Sequence, residues 1–383
     1  MRVLREEFIK RFRHEPVLFR SPGRVNLIGE HTDYNKGFVL PANINLEMFF
    51  AVAPNSSEKC RIYSYDLNES DEFFLNDLKE SEKRWNNYII GVVAQYIKGN
   101  YKIGGFDCVF GGQIPIGAGL SSSAALECGI AYGLNDLFRL DIDKLTLVKM
   151  SQMAEHEFAK VQCGIMDQFS SILGRENNAI MLDCQSLENK YIPLNYLKDY
   201  SLIIINSGVS HFHAISEYNK RIKECLAGVN FINKKEKTNF YSLRDLDIKL
   251  IEKYKNSLDP IIYKRCKYVI EENKRVLEAC KALENGDINT FGNLMYQSHE
   301  GLKNLFNVSC DELDFLVDQT KTNTNILGSR MTGGGFGGCT INIVKKDFVD
   351  DFINKTTKKY EKEFNIKLKY YSTKVVNGTN KVS

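Results

Sequence analysis

Four consecutive polar residues, Glu30 to Asp33, lie inside the stretch GRVNLIGEHTDYNKGFVLP. They bring two carboxylates, an imidazole and a hydroxyl together shortly after Arg24. A surface turn would need the glycines of this stretch but not the polar run, and a buried strand would tolerate the run only if each polar group had a partner. The run therefore predicts that this stretch binds something.

A second stretch, PIGAGLSSSAALE (Pro115 to Glu127), has the composition of a phosphate-binding loop. Its two glycines let the backbone approach a ligand closely, and its three serines lead into an apolar-periodic helix. Free N–H groups and the positive dipole end at a helix N-terminus attract anions, and serine hydroxyls can also ligate hydrated Mg²⁺. One serine would suffice to cap the helix. The triplet therefore favours phosphate binding over an ordinary helix start.

This second stretch does not match the two best-known nucleotide-binding patterns. The Walker pattern, Gly-x4-Gly-Lys followed by Ser or Thr, is absent from the sequence. GAGLSS is one glycine short of the dinucleotide fingerprint, and GLNDLF continues the helix where a second strand should follow. The sequence therefore argues against an ordinary P-loop and gives a Rossmann fold little support.

A third stretch, GSRMTGGGFGGCTINIV, places five glycines around Phe336 just before a strand. Such a loop allows close backbone approach, either to a ligand or to another loop. Taken by itself, the stretch favours a tight turn of a second domain. It indicates only that something must come very near.

The elements that would position these stretches mix strands and helices. MRVLREEFIKRF has the pattern of an amphipathic helix, and several strands and three helices follow it up to YSLIIINSG, a buried strand. Residues 216 to about 305 are mostly helical in pattern, and CTINIV, DFVDDFINKTTKKYEKEF and KLKYYSTKV predict strand, helix and strand. A chain of 383 residues predicts two domains, for which we expect the ranges 1–195 and 196–383.

Composition narrows the classes of function. Lys and Arg number 51 against 48 Asp and Glu, so a net charge of +3 gives no electrostatic case for nucleic acid or an anionic membrane. No signal peptide or membrane span is predicted. Ten cysteines without a Cys-x-x-Cys spacing favour reduced thiols and a cytoplasmic location. His211 and His213 could face one side of a strand, but no third metal ligand is suggested nearby.

In this order, the three stretches resemble the three sequence motifs of the GHMP small-molecule kinases, and the first resembles the signature of the galactokinases within that family. AEHEFAKVQCGIMDQF and SEYNKR also match, so the resemblance spans nearly the whole chain. It implies an α+β, two-domain GHMP kinase fold, with an N-terminal domain like ribosomal S5 domain 2, a ferredoxin-like C-terminal domain and the active site in the cleft between them. The implied reaction is direct transfer of a phosphoryl group from MgATP to the C1 hydroxyl of α-D-galactose, by a monomer.

The resemblance also implies roles for individual residues. Asp167 corresponds to the catalytic aspartate and Arg24 to the arginine beside the transferred phosphoryl group. A carboxylate could abstract the proton of the sugar hydroxyl or orient that hydroxyl, and the sequence leaves both open. A hexose offers donors and acceptors on all sides, which short polar side chains can match. The implied sugar-binding residues are Glu30, His31, Thr32, Asp33, Gly164 and Tyr218.

On the nucleotide side, the resemblance implies that Ser123 and Glu155 ligate Mg²⁺, with Glu157 as the rival of Glu155. Two protein ligands suffice because Mg²⁺ keeps waters and binds ATP phosphates. The implied ATP-binding residues are Ser64, Gly117, Ala118, Gly119, Leu120, Ser121, Ser122 and Ser123.

The sequence departs from the galactokinase pattern at three places. Lys36 stands where the signature usually has glycine, which matters only if this residue needs a positive φ. Lys160 also replaces a common glycine, and the residues around Tyr218 follow the pattern more loosely. Two other functions stay open: a kinase for N-acetylgalactosamine or another sugar, and a non-catalytic sensor of galactose and ATP. The sensor is disfavoured because Ser123-Ala124-Ala125 is intact.

Overall fold

The computed structural model of the chain describes residues 1–115, 117–210 and 214–382. His211 and His213, considered above as metal ligands, lie outside the described residues. The helices are α1 (Arg2–Phe12), α2 (Arg84–Lys98), α3 (Ser122–Leu137), α4 (Lys144–Ala154), α5 (Met166–Leu173), α6 (Ala214–Glu236), α7 (Ile248–Lys253), α8 (Pro260–Glu284), α9 (Ile288–Gly301), α10 (Asp311–Asp318) and α11 (Val349–Phe364). The strands are β1 (Val17–Asn26), β2 (Phe38–Val39), β3 (Pro41–Pro54), β4 (Lys59–Ser64), β5 (Glu69–Phe74), β6 (Phe106–Gly112), β7 (Asn178–Asp183), β8 (Asn189–Pro193), β9 (Tyr200–Ser210), β10 (Ile326–Thr332), β11 (Gly337–Lys345), β12 (Lys369–Thr373) and β13 (Asn380–Lys381).

The first half of the chain builds a six-stranded sheet in the order β13-β1-β3-β6-β4-β5. The long pair β1 and β3 is antiparallel from Val17↔Val52 to Asn26↔Pro41, with an irregularity between Pro22 and Gly23. Helices α3 and α5 pack against β1 and β3, and one apolar cluster joins the sheet to helices α2 to α5. This packing fixes the N-termini of α3 and α5 relative to the end of β1, which carries Arg24.

The second half builds a four-stranded antiparallel sheet in the order β10-β11-β9-β12. Apolar residues of α10 and α11 pack on one face of this sheet, and residues of α8 and α9 pack on the other. A third sheet, β2-β7-β8, contacts α8. Sheets whose strand pairs are almost all antiparallel, covered by separate groups of helices, form an α+β architecture, as the family resemblance implied.

The chain returns to its first sheet near residue 380. There β13 pairs with β1 through Phe19↔Lys381 and Arg20↔Asn380. Just before β13, the Thr379 hydroxyl lies 2.8 Å from the Ser21 Oγ and donates to the Ser171 carbonyl of α5 at 2.9 Å. The division at residues 195 and 196 therefore stays a prediction, and the chain crosses between the two halves a second time.

Most sequence-based expectations for single elements agree with the structure. The serine-headed helix begins at Ser122, and the region from 216 to about 305 is mainly helical. Each of the ten cysteines is a free thiol, as predicted. Among the described residues, no helix combines the length and apolarity that crossing a bilayer requires.

Two lysines that replace glycines of the galactokinase pattern have left-handed backbone conformations. Lys36 has φ 58° and Lys160 has φ 60°. Lys36 ends the 3₁₀ turn Asp33–Asn35, where its N–H donates to the Asp33 carbonyl. A residue with a Cβ is disfavoured in this region by roughly 1–2 kcal/mol. The condition stated for Lys36 is therefore met, and the missing glycine has an energetic cost.

We expect Lys36→Gly to raise the free energy of unfolding by about 0.5–1 kcal/mol, because relief of the left-handed strain exceeds the backbone entropy that glycine loses. Urea unfolding followed by circular dichroism would measure the change. Lys358→Gly, at an exposed position inside α11, is the matched control and should lower stability by about 1 kcal/mol. A loss of stability in Lys36→Gly would contradict the strain argument.

Candidate active site

A cavity of about 480 Å³ lies where the three glycine-containing stretches meet. Its volume is in the range of small-molecule sites. The three stretches come together because β1, the N-terminus of α3 and the loop between β10 and β11 approach one another. The lining includes Arg24, Glu30, His31, Asp33, Tyr88, Gly117, Gly119, Leu120, Ser121, Ser122, Ser123, Glu155, Val161, Cys163, Met166, Asp167, Tyr218, Thr332 and residues 333–338.

Three side-chain hydrogen bonds hold Asp167, which lies in the first turn of α5. The Arg24 guanidinium donates from Nε to Oδ1 and from Nη2 to Oδ2, both at 2.8 Å. The Ser121 hydroxyl donates to Oδ2 at 2.5 Å. Burial opposes the charge of Arg24, but Asp167, Glu30 and Asp33 outweigh it and raise the pKa of the guanidinium. A bidentate pair of this kind fixes both the position and the plane of the carboxylate.

Arg24 also connects two parts of the site. Its Nη1 donates to the Gly119 carbonyl at 2.7 Å, inside the predicted phosphate loop. On the other side of that loop, a Cβ at Gly333 would lie 2.8 Å from the same carbonyl oxygen, and Gly333 has φ +84°. Only glycine fits this conformation and this contact. The third stretch therefore approaches both another loop and the cavity, which its sequence left open.

Glu30 is buried, and one of its carboxylate oxygens is crowded with donors. Oε1 accepts from the Gly333 N–H at 2.8 Å and from the Thr332 hydroxyl at 3.1 Å, and Arg330 Nη1 lies 3.4 Å away. All three donors come from the second half of the chain. Glu30 thus joins the first stretch to the third and still borders the cavity.

Asp33 is a buried carboxylate with an unfavourable electrostatic environment. Burial, with further contributions from Asp167 and Glu30, raises its pKa to about 7, although a backbone N–H at Tyr34 and the nearby Arg24 act against this. Its Oδ2 lies 1.9 Å from where a Cβ on Gly164 would stand, so only glycine leaves room for it. Gly164 therefore contributes backbone and space next to Asp33 rather than a side chain.

His31 is neutral and already bonded on both ring nitrogens. Burial and the nearby Arg221 lower its pKa to about 3. The Gly334 carbonyl, 3.2 Å from Nε2, can only accept, so we assign the proton to Nε2, and the Tyr34 hydroxyl then donates to Nδ1 at 2.9 Å. Its ring also contacts Tyr218. A ligand hydroxyl would have to share one of these hydrogen bonds.

Glu155 faces the cavity from the irregular turn Glu155–Ala159 that follows α4. Burial and Asp167 raise its pKa to about 7, while hydrogen bonds from Cys163 and Ser123 act in the opposite direction. Behind it, the Gln168 amide donates to Glu155 at 2.7 Å and to Glu127 at 3.1 Å. Burial raises the pKa of Glu127 well above its ordinary value.

The structure also separates Glu155 from its rival. Glu157 points away to Gln95, which donates to it at 2.8 Å, and forms an ion pair with Lys98. Ser123 and Glu155 offer a hydroxyl and a carboxylate to the cavity, which are hard oxygen donors of the kind Mg²⁺ prefers. Within the described residues no three His, Cys, Asp or Glu side chains cluster as a cation cage. The donor set therefore fits a metal that takes its remaining ligands from water and phosphate.

Four predicted site residues are not part of the cavity lining: Gly164, described above beside Asp33, and Thr32, Ser64 and Ala118. Thr32 is fully buried, and its hydroxyl lies 2.8 Å from the Gly29 carbonyl and 2.6 Å from that of Phe38, so it stabilises a turn. Ser64 is buried in β4. Ala118 is buried below the phosphate loop, where its carbonyl approaches Gly338. The assignments of Thr32 to the sugar and of Ser64 to the nucleotide stay predictions.

Several lining residues had no signal in the sequence. Tyr88 looks like one more apolar position of the amphipathic helix α2, and Cys163 and Val161 belong to a loop with no chemical pattern of their own. Thr332 and Phe336 flank glycines that were noted only for close approach. A threonine immediately before such a loop is the one signal that could have been used.

Comparisons with known proteins agree with this geometry. Residues 6–54 match the family profile "Galactokinase galactose-binding signature", residues 87–175 match "GHMP kinases N terminal domain", and residues 277–362 match "GHMP kinases C terminal". A galactokinase from Clostridium acetobutylicum is 41% identical over 100% of this chain and 99% of its own length. One from Thermotoga maritima is 40% identical over 95% of this chain and 99% of its own length.

Solved structures show the same relationship in three dimensions. The crystal structure of Lactococcus lactis galactokinase complexed with galactose matches with a TM-score of 0.95 and 34% identity, covering 100% of this chain and 99% of that one. Methanococcus jannaschii mevalonate kinase, at 20% identity and a TM-score of 0.65 over 95% of this chain and all of its own, shares the fold. Full-length identity at this level, together with the galactose-binding signature around Glu30 and Asp33, shows that this chain belongs to the galactokinases of the GHMP kinase family.

Proposed function

We propose that this protein is a galactokinase, which transfers the γ-phosphoryl group of MgATP to the C1 hydroxyl of α-D-galactose and releases ADP. The observation that carries this proposal is the position of Asp167. Its carboxylate is fixed between Arg24 and Ser121, the residue at the N-terminus of α3, and Glu30 and Asp33 line the same cavity. A nucleotide on the serine side and a hexose on the carboxylate side would therefore meet at Asp167.

The chemistry of phosphoryl transfer uses this arrangement directly. The reaction depends on positioning and charge stabilisation more than on covalent chemistry. Asp167 accepts the hydrogen bond of the attacking hydroxyl and aims its oxygen, whether or not it takes the proton before the new bond forms. Arg24, already fixed by two hydrogen bonds to Asp167, offsets the charge that moves with the phosphoryl group. Both groups are pre-oriented in the protein alone.

The two substrates are bound by different physical means. Free N–H groups of the loop from Gly117 and the start of α3 receive the triphosphate, because a helix N-terminus favours anions. Glu30, Asp33 and Tyr218 meet the hexose, whose hydroxyls both donate and accept. A site of this kind rejects a sugar that leaves one of its buried polar groups unpaired.

Mg²⁺ is the proposed metal, held by Ser123 and Glu155. When bound, it would offset part of the negative charge of the ATP phosphates. We also propose a monomer in the cytoplasm. The free state of all ten thiols supports a reducing compartment.

A coupled assay of ADP release across a panel of sugars tests the proposed function. We expect galactose to be phosphorylated at C1, and mevalonate and homoserine to serve as negative controls. Preferred turnover of N-acetylgalactosamine would replace the substrate assignment. Binding of galactose and ATP without any 1-phosphate product would favour the sensor instead.

Replacing the Asp167 carboxylate should abolish turnover while ATP binding persists. We expect Asp167→Asn to lower kcat by roughly 10²–10⁴-fold, because the amide cannot accept the hydroxyl proton. Nucleotide affinity, measured by calorimetry, should change by less than about threefold, since Asn can still bond Arg24 and Ser121. Near-normal turnover in this variant would remove Asp167 from the mechanism.

Ionised Asp33 should lower the free energy of unfolding of the ligand-free protein, with the full effect at pH values above about 7. Its folded pKa of about 7 lies above the ordinary 3.8, so its unfavourable contribution grows as pH rises from about 4 to about 7 and then stays constant. We therefore expect Asp33→Asn to be more stable than wild type by roughly 2–4 kcal/mol at pH 8, with the difference vanishing below pH 4. Thermal unfolding across pH would measure it, and kcat/KM for galactose should fall in the same variant. A stability difference that grew toward low pH would contradict the assignment.

Glu155→Gln should raise the Mg²⁺ concentration needed for half-maximal activity by roughly tenfold or more, because an amide oxygen is a much weaker ligand for Mg²⁺ than a carboxylate. Binding of a fluorescent ADP analogue at increasing Mg²⁺ gives a second measure that does not depend on turnover. Glu157→Gln is the control, since Glu157 faces Gln95 and Lys98, and it should leave both measures unchanged. Equal effects of the two substitutions would rule out Glu155 as the ligand.

A further inference from the structure

The two carboxylate oxygens of Glu30 have very different surroundings. Oε1 has three protein donors, from Gly333, Thr332 and Arg330, at 2.8, 3.1 and 3.4 Å. Across residues 1–115, 117–210 and 214–382, Oε2 has no hydrogen-bond partner, although the residue is only 2% exposed and lines the cavity. A carboxylate oxygen that borders a cavity and has no protein donor can accept a hydrogen bond from a ligand. One oxygen thus anchors the side chain and the other faces the substrate space.

Arg330 is the largest fully buried side chain among the described residues. It lies on β10, and its Nη1 donates to the Asn26 carbonyl at 2.7 Å. Its Nε and Nη2 have no partner within the described part of the chain. A neutral donor could hold the Asn26 carbonyl without the large desolvation cost of burying a guanidinium. The charge of Arg330 therefore needs a further explanation, and Glu30 is the acidic group that it contacts.

The strand that carries Arg330 is fixed from behind. The Met331 N–H donates to Nδ1 of the buried His299 at 3.3 Å, and Nε2 of His299 lies 3.3 Å from Asp314. Arg330 and Thr332 flank Met331 on β10, and side chains at this spacing point to the same face of a strand. Both therefore approach Glu30 from one rigid surface.

We propose that Arg330 is a positioning residue for sugar recognition. It supplies the counter-charge for the Glu30 carboxylate and fixes its orientation, so that Oε2 accepts a hydrogen bond from one particular hydroxyl of the hexose. This inference rests on the proposed function. Discrimination at that hydroxyl then depends on a residue of the second half of the chain that does not itself line the cavity.

Deoxygalactoses test the proposal, because each removes one hydroxyl. The ratio of kcat/KM for galactose to that for the 2-, 3-, 4- or 6-deoxy sugar measures how strongly the enzyme uses that hydroxyl. Glu30→Gln identifies the hydroxyl bound by Glu30, since it should reduce one of the four ratios by roughly 10- to 100-fold. We expect Arg330→Met to reduce the same ratio by about tenfold or more and to leave the other three and the KM for ATP within about twofold.

Controls separate recognition from folding. Arg265→Met removes another buried arginine, bound to Glu224 and the Leu305 carbonyl, and should alter stability without changing any ratio. Thr332→Val removes a second donor to Oε1 and should lower the same ratio by a smaller factor. This milder variant keeps the proposal testable if Arg330→Met does not fold.

The outcomes are distinct. If Arg330→Met and Thr332→Val leave all four ratios as in wild type, Arg330 only ties β10 to Asn26 and the proposal fails while the proposed function stands. If Glu30→Gln changes no ratio, Oε2 does not bind a hydroxyl and the proposal also fails. A wild-type protein that phosphorylates no galactose would overturn the proposed function and this inference with it.

Discussion

The site depends on holding several acidic side chains close together around one cavity, which has an electrostatic cost. Asp33 stands close enough to Asp167 for the two charges to repel, and burial adds to the cost for both Asp33 and Glu155. Arg24 offsets this cost at the centre, where it bonds Asp167 through two nitrogens. In the ligand-free protein, repulsion among these buried carboxylates is therefore only partly offset. A bound metal cation and the hydroxyl groups of a sugar can reduce it further. Sites that bind well in this way are commonly less stable when empty.

The fold meets this constraint by bringing together segments that are far apart in sequence. The end of β1, the head of α3, the start of α5 and the loop after β10 each contribute to the cavity. Their contacts with one another use backbone as much as side chain, as where the Gly119 carbonyl meets both Arg24 and Gly333. Close approach of this kind explains why the glycine-rich stretches are separate in the chain but joined in space.

The sequence predicted the parts of the site that have a local chemical signature. The serine-headed helix and the polar run at Glu30 were recognisable because residue type and spacing carry their chemistry, whereas Asp167 was identified only through the family resemblance. Thr32 shows a limit of sequence reasoning, because the pattern of residues did not reveal that its hydroxyl contacts the carbonyls of Gly29 and Phe38. Arg330 had no signal in the sequence beyond its place in the third glycine-rich stretch. Its importance arises from a contact with Glu30, which lies 300 positions away in the sequence. Individual strands and the helix-rich middle followed from periodicity, while the return of β13 to β1 left no pattern in the sequence.

That return also bears on how the protein is made. The strand that carries Arg24 has a free edge until residues 380 and 381 pair with it, a separation of about 360 positions, and Thr379 completes the buried hydroxyl contacts beneath α5. On the ribosome, this edge stays uncovered until residue 381 has been translated. During that interval the unpaired edge of β1 can pair with a wrong strand, and a chaperone that covers this edge would prevent it. Catalytic competence would thus be acquired late in synthesis, after most of the helices have already formed.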